Sequence, residues 1–172
     1  MKRLQIFVFG LFLLAVLGAV WLTKTKPGEI LTSHTFVVIN APADKVWKTL
    51  ADVSAYPAWN PYIVEVSGTL KVGEKLKIVE EMDGRRRSHS VHVTHFEAAE
   101  RQLGWQGSTF PAALLQWSEW FSVEAIDASH SRVTMLNSHQ GLLANSYRKY
   151  NKNSDLRAYR KFADALKKKA EE

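Results

Sequence analysis

The chain has 172 residues, 46% hydrophobic and 23% charged, which fits one folded domain plus a short extra segment and excludes a multidomain enzyme or a low-complexity disordered chain. With no cysteine it has no disulfide framework, thiolate metal site or cysteine nucleophile. The formal net charge of +6 invites a nucleic-acid partner. The basic excess, however, sits around Lys2, Arg3 and Lys24 and again beyond residue 141, over a mildly acidic body and without interleaved aromatics, so no nucleic-acid binding is expected.

From Leu4 to Leu22 the only strongly polar residue is Gln5. At about 1.5 Å per residue such a run crosses most of a hydrocarbon core of about 30 Å, so residues 1–23 are expected to form a transmembrane anchor. A cleaved signal peptide, with Lys2 and Arg3 as its charged start, is the alternative. The short basic tail is expected to stay cytoplasmic, giving a single-pass protein with its domain on the outer, periplasmic or extracytoplasmic side. Residues 24–33, with Pro27 and Gly28, read as a linker, and 34–170 as the folded domain.

His34 to Asn40 is rich in β-branched residues and reads as a first strand. Asp44 is placed to cap a short helix over Lys45 to Asp52, in which Val46, Trp47 and Leu50 share a face, and Ser54 to Pro57 forms a second helical turn. Alternating patterns then predict six further strands: Tyr62 to Val66, Leu76 to Met82, Arg86 to Glu97 after an Asp83-Gly84 hairpin turn, Leu103 to Gly107, Trp117 to Ala125, and Arg132 to Gln140. After Gly141, Leu143, Tyr147, Tyr150, Tyr159, Phe162, Ala163 and Leu166 recur at helical spacing, in a helix that Asn151, Asn153 and Ser154 are expected to kink or delay. The fold class is α+β, an antiparallel sheet curved around one long C-terminal helix, which leaves a space between them.

The runs Ala41-Pro42-Ala43-Asp44-Lys45-Val46-Trp47, Leu50-Ala51-Asp52 and Tyr56-Pro57-Ala58-Trp59-Asn60-Pro61-Tyr62, then Gly68 and Gly73, resemble the opening of the START-like, Bet v 1-like superfamily. The resemblance is to its bacterial polyketide cyclase/dehydrase-like lipid-transport branch, the SRPBCC proteins. Leu103-Gly104-Trp105-Gln106-Gly107, Leu114-Leu115, Phe121 and Gly141-Leu142-Leu143 fall where such proteins carry similar groups. The resemblance implies a helix-grip fold, a seven-stranded sheet wrapped around the helix over a hydrophobic cavity. It also implies binding of lipids, sterols, polyketides or aromatic compounds, with a minority of members being enzymes. Many relatives carry a histidine where Glu119 stands here, which puts any role of that histidine in doubt.

Strand parity names the residues that can line such a cavity. Trp117, Glu119, Phe121 and Val123 share one face, as do Leu103 and Trp105, Val133, Met135, Asn137 and His139, and Leu76, Ile78, Glu80 and Met82. With Trp59 from a loop and Tyr159 and Phe162 from the helix, these are the expected ligand contacts, except Val123 and except Glu80 and His139, which are candidates for catalysis; a plain filled core is the competing reading. Glu119 and Glu80 are carboxylates on apolar faces, where desolvation raises a pKa and suits acid–base work, and His139 or Asn137 could partner them. His89, His92 and His95 make no metal site, because a spacing of three puts His92 on the other face and leaves His89 and His95 about 20 Å apart at roughly 3.3 Å per residue. No cofactor motif is present: there is no phosphate loop, dinucleotide fingerprint or nucleophile elbow.

The main functional expectation is a membrane-anchored module that binds a hydrophobic small molecule. Access would be controlled by the helix and by loops at Trp59-Asn60-Pro61 and Ser108 to Ala113, with Arg85, Arg86 and Arg87 or Lys167, Lys168 and Lys169 meeting anionic lipid. The alternatives are an enzyme of cyclase or dehydratase type using Glu119 with His139 or Glu80, and an interaction module with a filled core.

Overall fold

In the computed structural model, which describes residues 10, 11, 18 and 30–172, seven antiparallel strands form one sheet in the order β1-β7-β6-β5-β4-β3-β2. The strands are β1 (Leu31–Ile39), β2 (Ile63–Gly68), β3 (Lys75–Met82), β4 (Arg85–Glu97), β5 (Gln102–Ser108), β6 (Gln116–Ala125) and β7 (Ser131–Gln140). Between β1 and β2 lie α1 (Ala43–Ala51), a 3-10 turn (Val53–Ala55) and α2 (Tyr56–Trp59), and the chain ends in α3 (Ala144–Glu171). This is the helix-grip architecture, and the hairpin at Asp83-Gly84 forms where expected, with both residues at positive φ.

The strands alternate as their sequences dictate. In β6, Glu119, Phe121 and Val123 are buried, and in β7 Val133, Met135, Asn137 and His139 are, while the residues between them are at least partly exposed. The inner face packs on α3 through Phe162, whose ring meets Tyr56, Trp59 and Phe121 at 5.7–5.8 Å between centroids. Tyr56 is pinned in turn by donating a 2.6 Å hydrogen bond to the Leu50 carbonyl. The far end of α3 is held at the sheet edge, where Lys167 Nζ donates to the Val38 carbonyl and the Asn40 amide donates to Glu171.

Four expectations are corrected. Among the described residues no helix is long and apolar enough to cross a membrane, since the one long helix, α3, carries charged side chains along its length. The expected anchor over residues 1–23 lies, apart from Gly10, Leu11 and Gly18, outside the described residues, and the single-pass topology and outer-side location built on it are not supported. The basic runs expected to meet lipid are largely engaged within the protein: Arg86 pairs with Glu65 and Glu81, Lys167 with Glu171 and Lys169 with Glu172, while Arg87 turns to the sheet–helix space. Asp44 does not cap α1, whose first flanking residue is Pro42; it forms a 2.7 Å ion pair with Arg101 instead. Finally, α3 runs unbroken through Asn151, Asn153 and Ser154, because Asn151 bonds back to the Tyr147 carbonyl and Ser154 to Asp83.

Removing the ring at the centre of the helix–sheet contact tests this account. Phe162→Ala should cost about 3–5 kcal/mol in urea unfolding. A loss under about 1 kcal/mol would mean that α3 is not anchored through this residue.

Candidate functional site

Toward one end of the α3–sheet contact the packing opens into a cavity of about 140 Å³, bordered by Tyr62, Glu80, Met82, Arg87, His89, Leu115, Trp117, Glu119, Asn137, His139, Tyr147, Asp155 and Tyr159. The size is close to that of an apolar cavity able to hold benzene, so its interior has room for about one ring. Met82 and Arg87 also line a surface groove of about 480 Å³ beside the β3–β4 turn and α3. The expected access loops lie elsewhere: Trp59 packs on Tyr56 and Phe162, and Phe110 stands 98% exposed. Leu115, at the end of that second loop, reaches the cavity wall.

Local sequence explains how the wall is built. The Asn60 side-chain carbonyl accepts from the Tyr62 and Ile63 amides, at 2.8 and 3.0 Å, fixing the turn into β2 and aiming Tyr62 inward. Tyr62 then donates a 2.8 Å hydrogen bond to Glu80, and His89 Nε2 lies 3.5 Å from the same oxygen. Trp117 lies flat across Gly107, where any Cβ would collide with its indole, so the glycine in the Leu103-to-Gly107 run shapes the wall directly. The His89 ring meets Trp117 edge-on at 5.2 Å.

Glu119 is 3% exposed, and its Oε2 has no hydrogen-bond partner. Burial pushes its carboxyl well above the ordinary value of 4.5, and the nearby Glu80 carboxyl pushes it further; Tyr159 and Trp105 oppose the rise through hydrogen bonds. Tyr159 can act as a donor here because its oxygen already accepts from Asn137 Nδ2 at 2.7 Å. Glu80 is raised by burial as well, against the opposing effects of Tyr62 and Arg87. Asp155 is raised to about 6 by burial, and Tyr147 donates to it at 3.3 Å. His139 is held down to about 4 by burial and by Arg148, and its ring stacks at 4.5 Å on Tyr147. His139 and Glu80, the two expected partners of Glu119, both line the cavity with it, and among the described residues neither is hydrogen-bonded to Glu119, whereas Tyr159 is.

Of the expected contacts and catalytic candidates, Glu80, Met82, Trp117, Glu119, Asn137, His139 and Tyr159 come together at the cavity. Leu76, Ile78, Leu103, Trp105, Phe121, Val133, Met135 and Phe162 are buried in the packed core, and Trp59 is partly buried against it, with Trp105 touching the site through Glu119. Sequence reasoning missed Tyr62, Arg87, His89, Leu115, Tyr147 and Asp155. The odd-numbered parity that puts His89 inward with Val91 and Val93 was available as a signal. It fails for His95: the β4–β5 register shifts between Val93 and His95, so His95 lies on the outer face against Trp120 at 4.4 Å rather than on the face of His89.

The raised carboxyl has a consequence for stability. Below 4.5 the carboxyl is protonated whether the chain is folded or not; as pH rises past that value the unfolded chain ionises first, and folding loses stability until the buried group ionises too. Glu119→Gln should therefore be more stable than wild type by about 1–3 kcal/mol at about pH 8, with the gap closing near pH 4. Urea unfolding at the two pH values measures it; a gap of equal size at both would remove the burial shift as its source.

The family model described as polyketide cyclase/dehydrase and lipid transport matches residues 31–171. No curated protein matches the chain in sequence. Among solved structures, the Zhui aromatase/cyclase from Streptomyces sp. R1128 is similar with a TM-score of 0.70 at 18% identity, over 83% of this chain and 94% of that one. A START superfamily protein from Mycobacterium smegmatis is similar at 0.64 and 18%, over 81% and 97%. Norcoclaurine synthase from Thalictrum flavum, as a point mutant with a transition-state analogue, is similar at 0.64 and 12%, over 86% and 97%. At these identities the structures speak for the fold alone, whereas the family match spans nearly all of the described chain: the protein belongs to the polyketide cyclase/dehydrase and lipid transport family, within the START-like superfamily.

Proposed function

We propose that the chain is an enzyme of cyclase or dehydratase type, acting on a ring-bearing carbonyl compound in the cavity with Glu119 as its acid–base group. The observation that carries this is the Glu119 carboxyl, only 3% exposed and with Oε2 unpartnered, in the wall of the one-ring-sized cavity. A carboxyl kept near neutrality by burial serves either as base or as acid at ordinary pH. The membrane-tethered carrier is set aside, and the fold likeness to an aromatase/cyclase agrees with the catalytic alternative.

In such a reaction the ionised member of the Glu119–Glu80 pair removes a proton from a carbon next to a carbonyl. The Tyr159 or Tyr62 hydroxyl, turning its single proton away from the carboxyl it otherwise serves, donates a hydrogen bond to the developing enolate oxygen, as an oxyanion-hole donor does. The enolate carbon bonds to a second carbonyl of the same molecule, whose alkoxide takes up the proton just removed; the carboxylate then removes the second proton of the same carbon while the protonated carboxyl gives its proton to the leaving hydroxyl, so that a C=C bond forms and water departs. Two carboxyls in one dry site cannot both ionise easily, which is how one acid and one base coexist.

The first half-step is testable without the natural substrate. Wild-type protein should accelerate exchange of the methylene protons of phenylacetone in D2O, followed by NMR, and Glu119→Gln should lose this by about 100-fold or more. Equal rates for wild type and variant would reject the proposal.

A further inference from the structure

The cavity wall carries three carboxyls, Glu80, Glu119 and Asp155, against one guanidinium, Arg87. Burial holds His89 and His139 toward the neutral form and raises the three carboxyls as well, so the acidic groups meet a cation by giving up their protons. Four aromatic side chains, Tyr62, Trp117, Tyr147 and Tyr159, line the same small space. A neutral carbonyl compound uses two of them as acid and base and gives no use for the third, Asp155. Aromatic faces and carboxyl oxygens around a desolvated space of one-ring size are instead the chemistry that recognises a small organic ammonium ion. The carboxyls of Glu80 and Glu119, both in the cavity wall, are the acceptors for its N–H groups.

We infer that the preferred ligand of this cavity is a one-ring aromatic amine, bound as its ammonium ion with the nitrogen toward Glu119 and Glu80 and the ring between the tyrosines and Trp117. The inference rests on the proposed use of the same cavity as the ligand site and narrows the substrate class to compounds that carry a basic nitrogen. The ring's far end is set toward Met82 and Arg87, which the cavity shares with the neighbouring surface groove. Bringing a cation beside carboxyls favours their ionised form. The groups facing the nitrogen are Glu80 from β3, Arg87 and His89 from β4, Glu119 from β6, Asn137 and His139 from β7, Tyr62 from the turn before β2, and Tyr147, Asp155 and Tyr159 from α3. Of these the raised carboxyls are the ones that release protons on binding.

Three probes of nearly equal shape isolate the charge: tyramine, tyrosol and 4-hydroxyphenylacetate, with a cationic, neutral and anionic tail. Isothermal titration calorimetry on the full-length chain at neutral pH, in two buffers of different ionisation enthalpy, should show tyramine binding at least about tenfold tighter than tyrosol. The acetate should bind weakest, and proton release should accompany tyramine alone. Glu119→Gln and Glu80→Gln, checked for folding by thermal melting, should flatten the order. Equal or tighter binding of tyrosol or the acetate by wild type overturns the inference whatever the variants do, as does failure of all three to bind at millimolar concentration or an order that survives in both variants. The ketone exchange reads the other proposal separately: exchange without amine preference removes only the ligand class, and amine preference without exchange removes only the catalysis.

Discussion

Two carboxyl groups, on Glu119 and Glu80, are buried in the wall of one small cavity between the sheet and its helix. Desolvation makes each charge costly and their proximity makes a second charge costlier. The hydrogen bonds around them go some way to offset that cost. Tyr62 donates to Glu80, Asn137 donates to Tyr159, and Tyr159 in turn acts on Glu119, in a chain that leaves Glu119 Oε2 and, beside Glu80, His89 Nε2 without partners. Much of what is particular to this chain serves that arrangement: the Asn60 turn aims Tyr62, Gly107 lets Trp117 lie flat, and the Asp83-Gly84 hairpin brings Arg87 and His89 back over Glu80.

Stability and site are divided along the length of α3. Toward its C-terminus Phe162, Ala163 and Leu166 pack a dry core with Tyr56 and Phe121, and the helix end is tied to β1. Toward its N-terminus the same helix presents Tyr147, Asp155 and Tyr159, all polar at their tips, and the core gives way to the cavity. A buried unpartnered carboxyl lowers the stability of the fold, and the well-packed half provides the surplus that lets the other half carry it.

How far the sequence reveals this depends on the range of the interaction involved. Strand parity is local and turned Glu80, Glu119, Asn137 and His139 inward, as the alternation of their neighbours said. The Tyr56-to-Tyr62 run carried the fold through its resemblance, and its physical role, the Asn60 turn, lies within three residues. Parity broke where a bulge intervened, so His95 went to the outer face, and no local pattern reports such a shift. Which inward residues meet space rather than neighbours is set by the curvature of the whole sheet; Trp105 and Phe121 pack against each other at 5.1 Å while Trp117, on the same face, borders the cavity. Tyr147 and Asp155 were hidden for the same reason, on a helix whose polar residues read as solvent-facing. The apolar N-terminal run dominated the functional expectation, and the folded domain offers no spanning helix to support it.

The central claim is that Glu119 stays protonated well above the ordinary carboxylate range because it is buried beside Glu80. Titration of side-chain carboxyl carbons by 13C NMR, with Glu119→Gln and Glu80→Gln used for assignment, measures this directly. The account predicts two glutamate resonances that titrate well above the ordinary value of 4.5, with replacement of either residue lowering the titration point of the other. Finding every glutamate of the protein titrating near 4.5, with neither affected by the other's removal, would contradict it.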